Sequence, residues 1–117
     1  MSVSRVFIAN RGEIAVRIVW ACRTLGLECV VGASKVDMDG LAAELADRTV
    51  CIGPGPASES YLRLETVVQA AVATGCDALH PGYGFLSENS LLATVLAHED
   101  FANGAVSTRW LEEAMSA

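Results

Sequence analysis

Apolar and polar positions fall into blocks along this chain, and the blocks switch between two periods. "RVFIA" (Arg5 to Ala9) is a short apolar run with branched and aromatic residues, the pattern of a strand buried on both faces. "EIAVRIVWACRTLG" then places Ile14, Ile18, Ala21, Cys22 and Leu25 near helical spacing, with Val16 flanking and Gly26 where a left-handed residue would stop a helix. "LECVVGAS" predicts a second strand and "TVCIG" (Thr49 to Gly53) a third, with a short helix around Leu41 to Ala46 between them. From Leu64 to Thr74, the apolar residues Val67, Val68, Ala71 and Val72 are spaced for one helix face, and Gly75 ends the segment. "DALH" (Asp77 to His80) predicts the fourth strand.

Strands alternating with helices at short intervals imply successive right-handed crossovers, so the fold class is α/β: an open parallel sheet with flanking helices. Ligands of such sheets bind beyond the carboxyl ends of the strands. Two loops expected there are unusual, "NRGE" after the first strand and "PGYGFLSEN" after the fourth. The pattern changes after Asn89. "SLLATVLAHEDFANGAVSTRWLEEAMSA" begins as an amphipathic helix, breaks at "HEDFANG" and ends in a short helix that Ser107 or Thr108 can cap. The reading is therefore a domain over residues 1–89 and a helical tail over 90–117.

Composition narrows the function classes. A chain of 117 residues suits one domain with a modest core. Its net charge of −6, with no cluster of Lys and Arg, argues against nucleic acid, whose phosphates call for a basic face. The apolar runs stop well short of the roughly 18 residues a bilayer span needs. "MSVSRVFIANRGE" carries no secretory pattern, so a cytoplasmic location is expected. Cys22, Cys29, Cys51 and Cys76 form no C-x-x-C pair, and three sit inside apolar patterns, so free, mostly buried thiols are expected.

The candidate chemistry is concentrated in the two loops. The first turn, "ANRGEIA", has one glycine where a dinucleotide site needs three, and the second strand ends in Ser34 and Lys35 where an acidic residue would hold a ribose. Classical NAD binding is not expected, and neither a Walker phosphate loop nor a nucleophile elbow is present. His80, at a strand end beside Pro81, is placed for proton transfer, although a histidine there is more often structural. Tyr83 and Phe85 alternate with Gly82 and Gly84, which either lets a planar ligand approach the backbone or forms a surface turn with one ring tucked in. Glu88 and Asn89 can start a helix, where a carboxylate is favoured. Arg11 and Glu13 flank Gly12 and either bind an anion or pair locally, the local pair being the simpler reading. Arg17 and Trp20 share a helix face; an exposed indole there marks a partner surface, and partial burial against the sheet is the alternative.

"VFIANRGEIAVRIVWACRTLGLECV", "ADRTVCIG", "SYL" and "DALHPGYGFLSEN", in this order and spacing, closely resemble the N-terminal domain of biotin carboxylases, over about residues 4 to 89. These are the ATP-dependent components of acyl-CoA and pyruvate carboxylases. The resemblance implies a pre-ATP-grasp α/β fold, in agreement with the periodicity. It implies ATP- and magnesium-dependent activation of bicarbonate, followed by carboxylation of biotin on a biotin carboxyl carrier protein, with a carboxyltransferase component as further partner. It places Tyr83 and Gly84 against biotin, with His80, Phe85 and Glu88 supporting the cleft. It makes the first helix part of a homodimer surface. Trp20 stands where the family most often has arginine, which leaves the usual polar dimer contact open.

After Asn89 the family continues into an ATP-grasp domain whose motifs are absent here, and "LLATVLAHEDFANGAVSTRWLEEAM" instead resembles the far end of a biotin carboxylase domain. Triphosphate chemistry calls for lysines, a backbone cradle and magnesium-holding carboxylates, and the one lysine here is Lys35. The expectation is an abbreviated biotin carboxylase component with no catalytic residue, metal site or bound cofactor of its own, inactive alone. The alternative, from another class, is a non-catalytic module assembling with full-length carboxylase subunits through Arg17 and Trp20.

Overall fold

Strand β1 (Arg5–Ile8) sits inside the sheet, and Val6, Phe7 and Ile8 are all buried because both sheet faces are covered. The computed structural model describes residues 3–81. β1 pairs in parallel with β2 (Glu28–Ser34) on one side and with β4 (Ala78–His80) on the other; β3 (Arg48–Gly53) lies beyond β2. The order is β3-β2-β1-β4.

Alternation along the strands divides the core in two. Val6 and Ile8 of β1 and Cys29, Val31 and Ala33 of β2 pack with Ala15, Ile18, Val19 and Cys22 of α1 (Gly12–Thr24) and Ala42 of α2 (Leu41–Leu45). Phe7, Ala9, Val30 and Leu79 pack with Val67 and Ala71 of α3 (Leu64–Ala73) on the opposite side. The α/β class and parallel sheet read from periodicity are thus the observed ones. The helix stops at Gly26 and Gly75 take positive φ, +72° and +74°, values that cost glycine little.

Two predicted core positions are surface positions. Leu25 follows the last turn of α1 and is 42% exposed. In α3 the buried line runs from Val67 to Ala71, one turn apart, and Val72, a further 100° around the helix, is 43% exposed.

Gly32 shows how tightly the α3-side layer is filled. A Cβ on Gly32 would stand 2.5 Å from Cζ and 2.7 Å from Cε2 of the fully buried Phe7, and 3.1 Å from Cγ2 of Ile52. Gly32→Ala should therefore cost about 1–3 kcal/mol by overpacking. Urea unfolding would show this as a lower midpoint at unchanged slope; a wild-type midpoint would mean that the ring moves aside freely.

The amino edge of the sheet is fastened by carboxylates. Asp77 accepts from the backbone N–H of Ser4 (3.0 Å) and of Arg5 (3.0 Å), and Asp47 accepts from that of Cys29 (2.8 Å). Arg5 spans the same edge, donating to the Thr74 carbonyl and pairing with Glu28. These contacts secure strand ends remote from the carboxyl edge. No helix among the described residues is long and apolar enough to cross a membrane.

Candidate functional site

The strand order makes one place on the carboxyl edge special. From β1 the chain builds outwards through β2 and β3, then crosses back to lay β4 on the other side of β1. The crevice between the carboxyl ends of β1 and β4 is thus the topological switch point, where open α/β sheets bind ligands. Asn10 leaves β1 there and Pro81 leaves β4. Asn10 is 2% exposed; its Nδ2 donates to the Pro81 carbonyl (2.8 Å) and its Oδ1 accepts from the Arg11 backbone N–H (2.8 Å). Immediately before, the Ala9 N–H donates to the His80 carbonyl (3.1 Å) along the same seam.

A second polar cluster ties the next two loops to the first. The Asp37 carboxylate, in the turn after β2, accepts from Ser34 Oγ (2.8 Å) and from the Tyr61 hydroxyl (2.7 Å), and pairs with Arg11 Nε (3.1 Å). The Tyr61 oxygen in turn accepts from the Ser34 N–H (3.0 Å). Ser34 and Tyr61 are buried, so each needs these partners. Burial pushes the Asp37 carboxyl up, but the hydrogen bonds from Tyr61, Ser34 and Arg11 outweigh it and hold it below its ordinary 3.8. Tyr61 is pushed up to about 12, chiefly by burial and also by the Asp37 carboxylate. It therefore stays protonated and donates at neutral pH.

The loops after β1, β2 and β3 are thus joined through Arg11, Asp37 and Tyr61, and those after β1 and β4 through Asn10. Sequence reasoning passed over Asn10 and Asp37 and met Tyr61 only inside "SYL". The readable signal was one polar residue directly after a buried strand and one acid three residues after another. Arg11 does form an ion pair, but its partner is Asp37 and not the neighbouring Glu13: the guanidinium reaches across to the β2 turn. An open depression of about 380 Å³ beside this pair is lined by Gly12, Glu13, Val16, Asp37, Gly40 and Leu41. Its two carboxylates make it unsuited to an anion.

His80 lies on β4 opposite Ile8 and is 1% exposed. Burial lowers its pKa to about 4, so it is neutral at pH 7. Arg17 and Trp20 are both exposed on α1, which decides against burial of the indole on the sheet; Trp20 is 54% exposed, with the Arg23 guanidinium 6.0 Å from its ring centroid. Tyr83, Gly84, Phe85 and Glu88 lie outside the described residues, as do Ser107 and Thr108. The cysteines are free; Cys22, Cys29 and Cys76 are buried and Cys51 is exposed. A hydrogen bond shared with Cys29, together with burial, pushes the Cys22 thiol far up, which makes it unreactive.

Among the described residues no group of three or more His, Cys, Asp or Glu side chains converges as a metal would require. Lys35 opens the turn after β2 as an exposed residue. What the described part of this edge offers is a set of polar ties that join the ends of β1 and β4 and the turns after β2 and β3.

Comparison with known proteins agrees with that architecture. The family described as "Biotin carboxylase, N-terminal domain" matches residues 2–103. The chain is 50% identical over 99 residues to the biotin carboxylase of Haemophilus influenzae, covering 85% of this chain and 22% of that protein. It is 48% identical over 96 residues to the mitochondrial propionyl-CoA carboxylase alpha chain of Rattus norvegicus, covering 82% of this chain and 13% of that one. The biotin carboxylase domain dimer of the Hydrogenobacter thermophilus 2-oxoglutarate carboxylase, solved with MgADP, ADP and bicarbonate, superposes with a TM-score of 0.80 at 33% identity, over 96% of this chain and 24% of that one. The chain thus spans about a quarter or less of the relatives it matches, and it belongs to the biotin carboxylase N-terminal domain family.

Proposed function

We propose that this chain supplies the biotin-side wall of a biotin carboxylase component, which carboxylates carrier-bound biotin at the expense of ATP and bicarbonate. The observation that carries the reading is the position of β4: it ends at the topological switch point, and "HPGYGFLSEN" begins on its last residue. Tyr83 and Gly84 would meet the biotin ring, with His80, Phe85 and Glu88 as supports. Residues 1–89 form the pre-ATP-grasp unit in this reading and 90–117 the helical tail. The Hydrogenobacter domain was solved with MgADP and bicarbonate, which supports the same reactants here. No group of three or more metal-ligating side chains converges among the described residues, so no step through metal or nucleotide is assigned to them, and our expectation is that the chain alone is inactive.

Grafting tests this reading. Residues 1–89 are exchanged for the matching segment of the Haemophilus influenzae enzyme, and bicarbonate-dependent, biotin-stimulated ATP hydrolysis is measured. The hybrid should turn over, and Tyr83→Ala should raise KM for biotin by about ten- to a hundredfold through lost positioning while sparing KM for ATP. A folded hybrid that hydrolyses ATP without response to biotin, or a Tyr83→Ala hybrid with unchanged KM for biotin, defeats the reading. The exposed Trp20 favours a second role for the α1 face, as a surface for another carboxylase subunit, with the carrier protein and carboxyltransferase component as the wider partners.

A further inference from the structure

The aspartates of the described residues divide by what their carboxylates hold. Asp37 takes the Ser34 and Tyr61 hydroxyls and pairs with Arg11, while Asp47 and Asp77 take backbone N–H groups at the amino edge. Asp39, in the turn between β2 and α2, stands apart: it is exposed and makes no hydrogen bond or ion pair with another described residue. The residues that follow the other three, Met38, Arg48 and Ala78, each carry a side chain next to the peptide nitrogen, whereas Asp39 precedes Gly40, which is also exposed. An open depression of about 390 Å³, lined by Met38, Asp39, Gly40, Ala43 and Glu44, gives water access to this peptide. Cγ of Asp39 and the Gly40 nitrogen are the ends of a run of five atoms, so their joining closes a five-membered ring with no second molecule to bring in. With no side chain on Gly40, the closing ring meets no Cβ. One bond opposes closure: the Gly40 N–H donates to the Asp37 carbonyl (3.0 Å). It spans a single exposed turn, the kind of backbone bond that opens locally at little cost.

We propose that the Asp39–Gly40 peptide is a site of spontaneous covalent modification, at which Asp39 is converted through a succinimide into isoaspartate. The Gly40 nitrogen bonds to Cγ of Asp39 and gives up its proton, and one Cγ oxygen leaves as water. A second water then adds to the α-carbonyl carbon of the ring, and the bond from that carbon to the nitrogen breaks. The peptide afterwards runs through Cβ and Cγ, the α-carboxyl becomes the side group, and the mass is unchanged. The backbone has gained one methylene directly before Gly40, whose carbonyl accepts the Glu44 N–H (3.1 Å) at the start of α2. It lies two residues from Asp37, whose carboxylate ties the neighbouring loops. The new α-carboxyl is the group that S-adenosylmethionine-dependent isoaspartyl methyltransferases esterify, and such an enzyme serves as the probe.

Ageing the folded full chain at neutral pH and physiological temperature tests the assignment. Methyl groups accepted from labelled S-adenosylmethionine count the isoaspartate formed. Trypsin releases Val36 to Arg48 as one peptide, and electron-transfer fragmentation locates the modified position within it. Isoaspartate should rise with time at Asp39 and stay at the starting level at Asp37 and Asp47, which lie in the same peptide. Asp39→Glu, whose closure would need a six-membered ring, and Gly40→Ala, which sets a Cβ beside the nitrogen, should each hold that peptide at the level of the fresh chain. A Cβ on Gly40 would stand 3.2 Å from the Asp37 carbonyl oxygen, so Asp39→Glu carries the test if the alanine variant shifts the turn. The free Val36 to Arg48 peptide, aged alongside, is the unfolded reference. Isoaspartate that builds up in this peptide and not in the folded chain would mean that the Gly40 bond to Asp37 keeps the nitrogen out of reach, and overturns the proposal. Accumulation at Asp37 or Asp47 equal to that at Asp39 overturns it as well.

Discussion

Lowering the pH from 7 to 4 should cost the folded chain about 3 kcal/mol through His80 alone. The imidazole is 1% exposed, and burial lowers its pKa to about 4, whereas in the unfolded chain it titrates near the ordinary value of about 6.5. Between those two values the unfolded state carries a proton that the folded state does not. Unfolding then takes up a proton, so stability falls as the pH falls. The contribution is complete above about pH 6.5 and is lost progressively down to about pH 4. The shift, from 6.5 to about 4, converts to the stated magnitude at about 1.4 kcal/mol per unit. Urea unfolding at half-unit pH steps from 7.5 to 4.5 would trace the slope. In His80→Gln, which cannot take up the proton, the curve across this range should flatten. A wild-type curve that is already flat would mean that the imidazole gains its charge in place at little cost, with its site open to water.

The chain announced its layers because the driving force was local. Buried parallel strands need apolar residues on both faces, and "VFIA", "CVVGA" and "DALH" carry them in runs too short for helices. Gly26 and Gly75 marked helix ends because left-handed backbone is cheap for glycine. Helix phase was legible only to within one residue: Val72 follows the buried Ala71 directly, and hydropathy does not distinguish which of two adjacent apolar residues meets the sheet. The polar frame was the least legible part. Asn10 and Pro81 are 71 residues apart and Asp37 and Tyr61 are 24 apart. Each pair meets only once the strand order is fixed, and periodicity does not reveal that order. For the same reason local spacing favoured a pair of Arg11 with Glu13 over anion binding, and neither names its partner in the fold, Asp37. By contrast, "HPGYGFLSEN" was recognisable as a motif without any geometry, and its first residue, His80, is the last of β4.

Asp37 holds the carboxyl edge together, and its removal should be the most destabilising single change in that frame. Asp37→Ala deprives the buried Ser34 and Tyr61 hydroxyls of their shared acceptor. Losing that acceptor costs each buried hydroxyl roughly 1–3 kcal/mol, so a loss of about 3 kcal/mol at pH 7 is expected. The ion pair adds little to this, because the Arg11 side chain is 54% exposed and its charge is well solvated. Arg11→Ala should accordingly cost less than about 1 kcal/mol. Asp37→Asn, which keeps one carbonyl acceptor for Tyr61, should fall between the two. A double-mutant cycle of Asp37→Ala with Tyr61→Phe isolates the shared bond, with a coupling of about 0.5–3 kcal/mol. The pH dependence gives an independent check. Because the folded-state pKa of Asp37 lies below its ordinary 3.8, its contribution is present above about pH 3.8 and is lost as the pH falls through the lower folded value. That window lies below the one in which His80 acts, so the two are separable in one titration. Asp37→Asn should remove the lower loss and leave the upper one intact. If Arg11→Ala proved as damaging as Asp37→Ala, the ion pair and not the hydroxyl bonds would be what holds the β1, β2 and β3 loops in register.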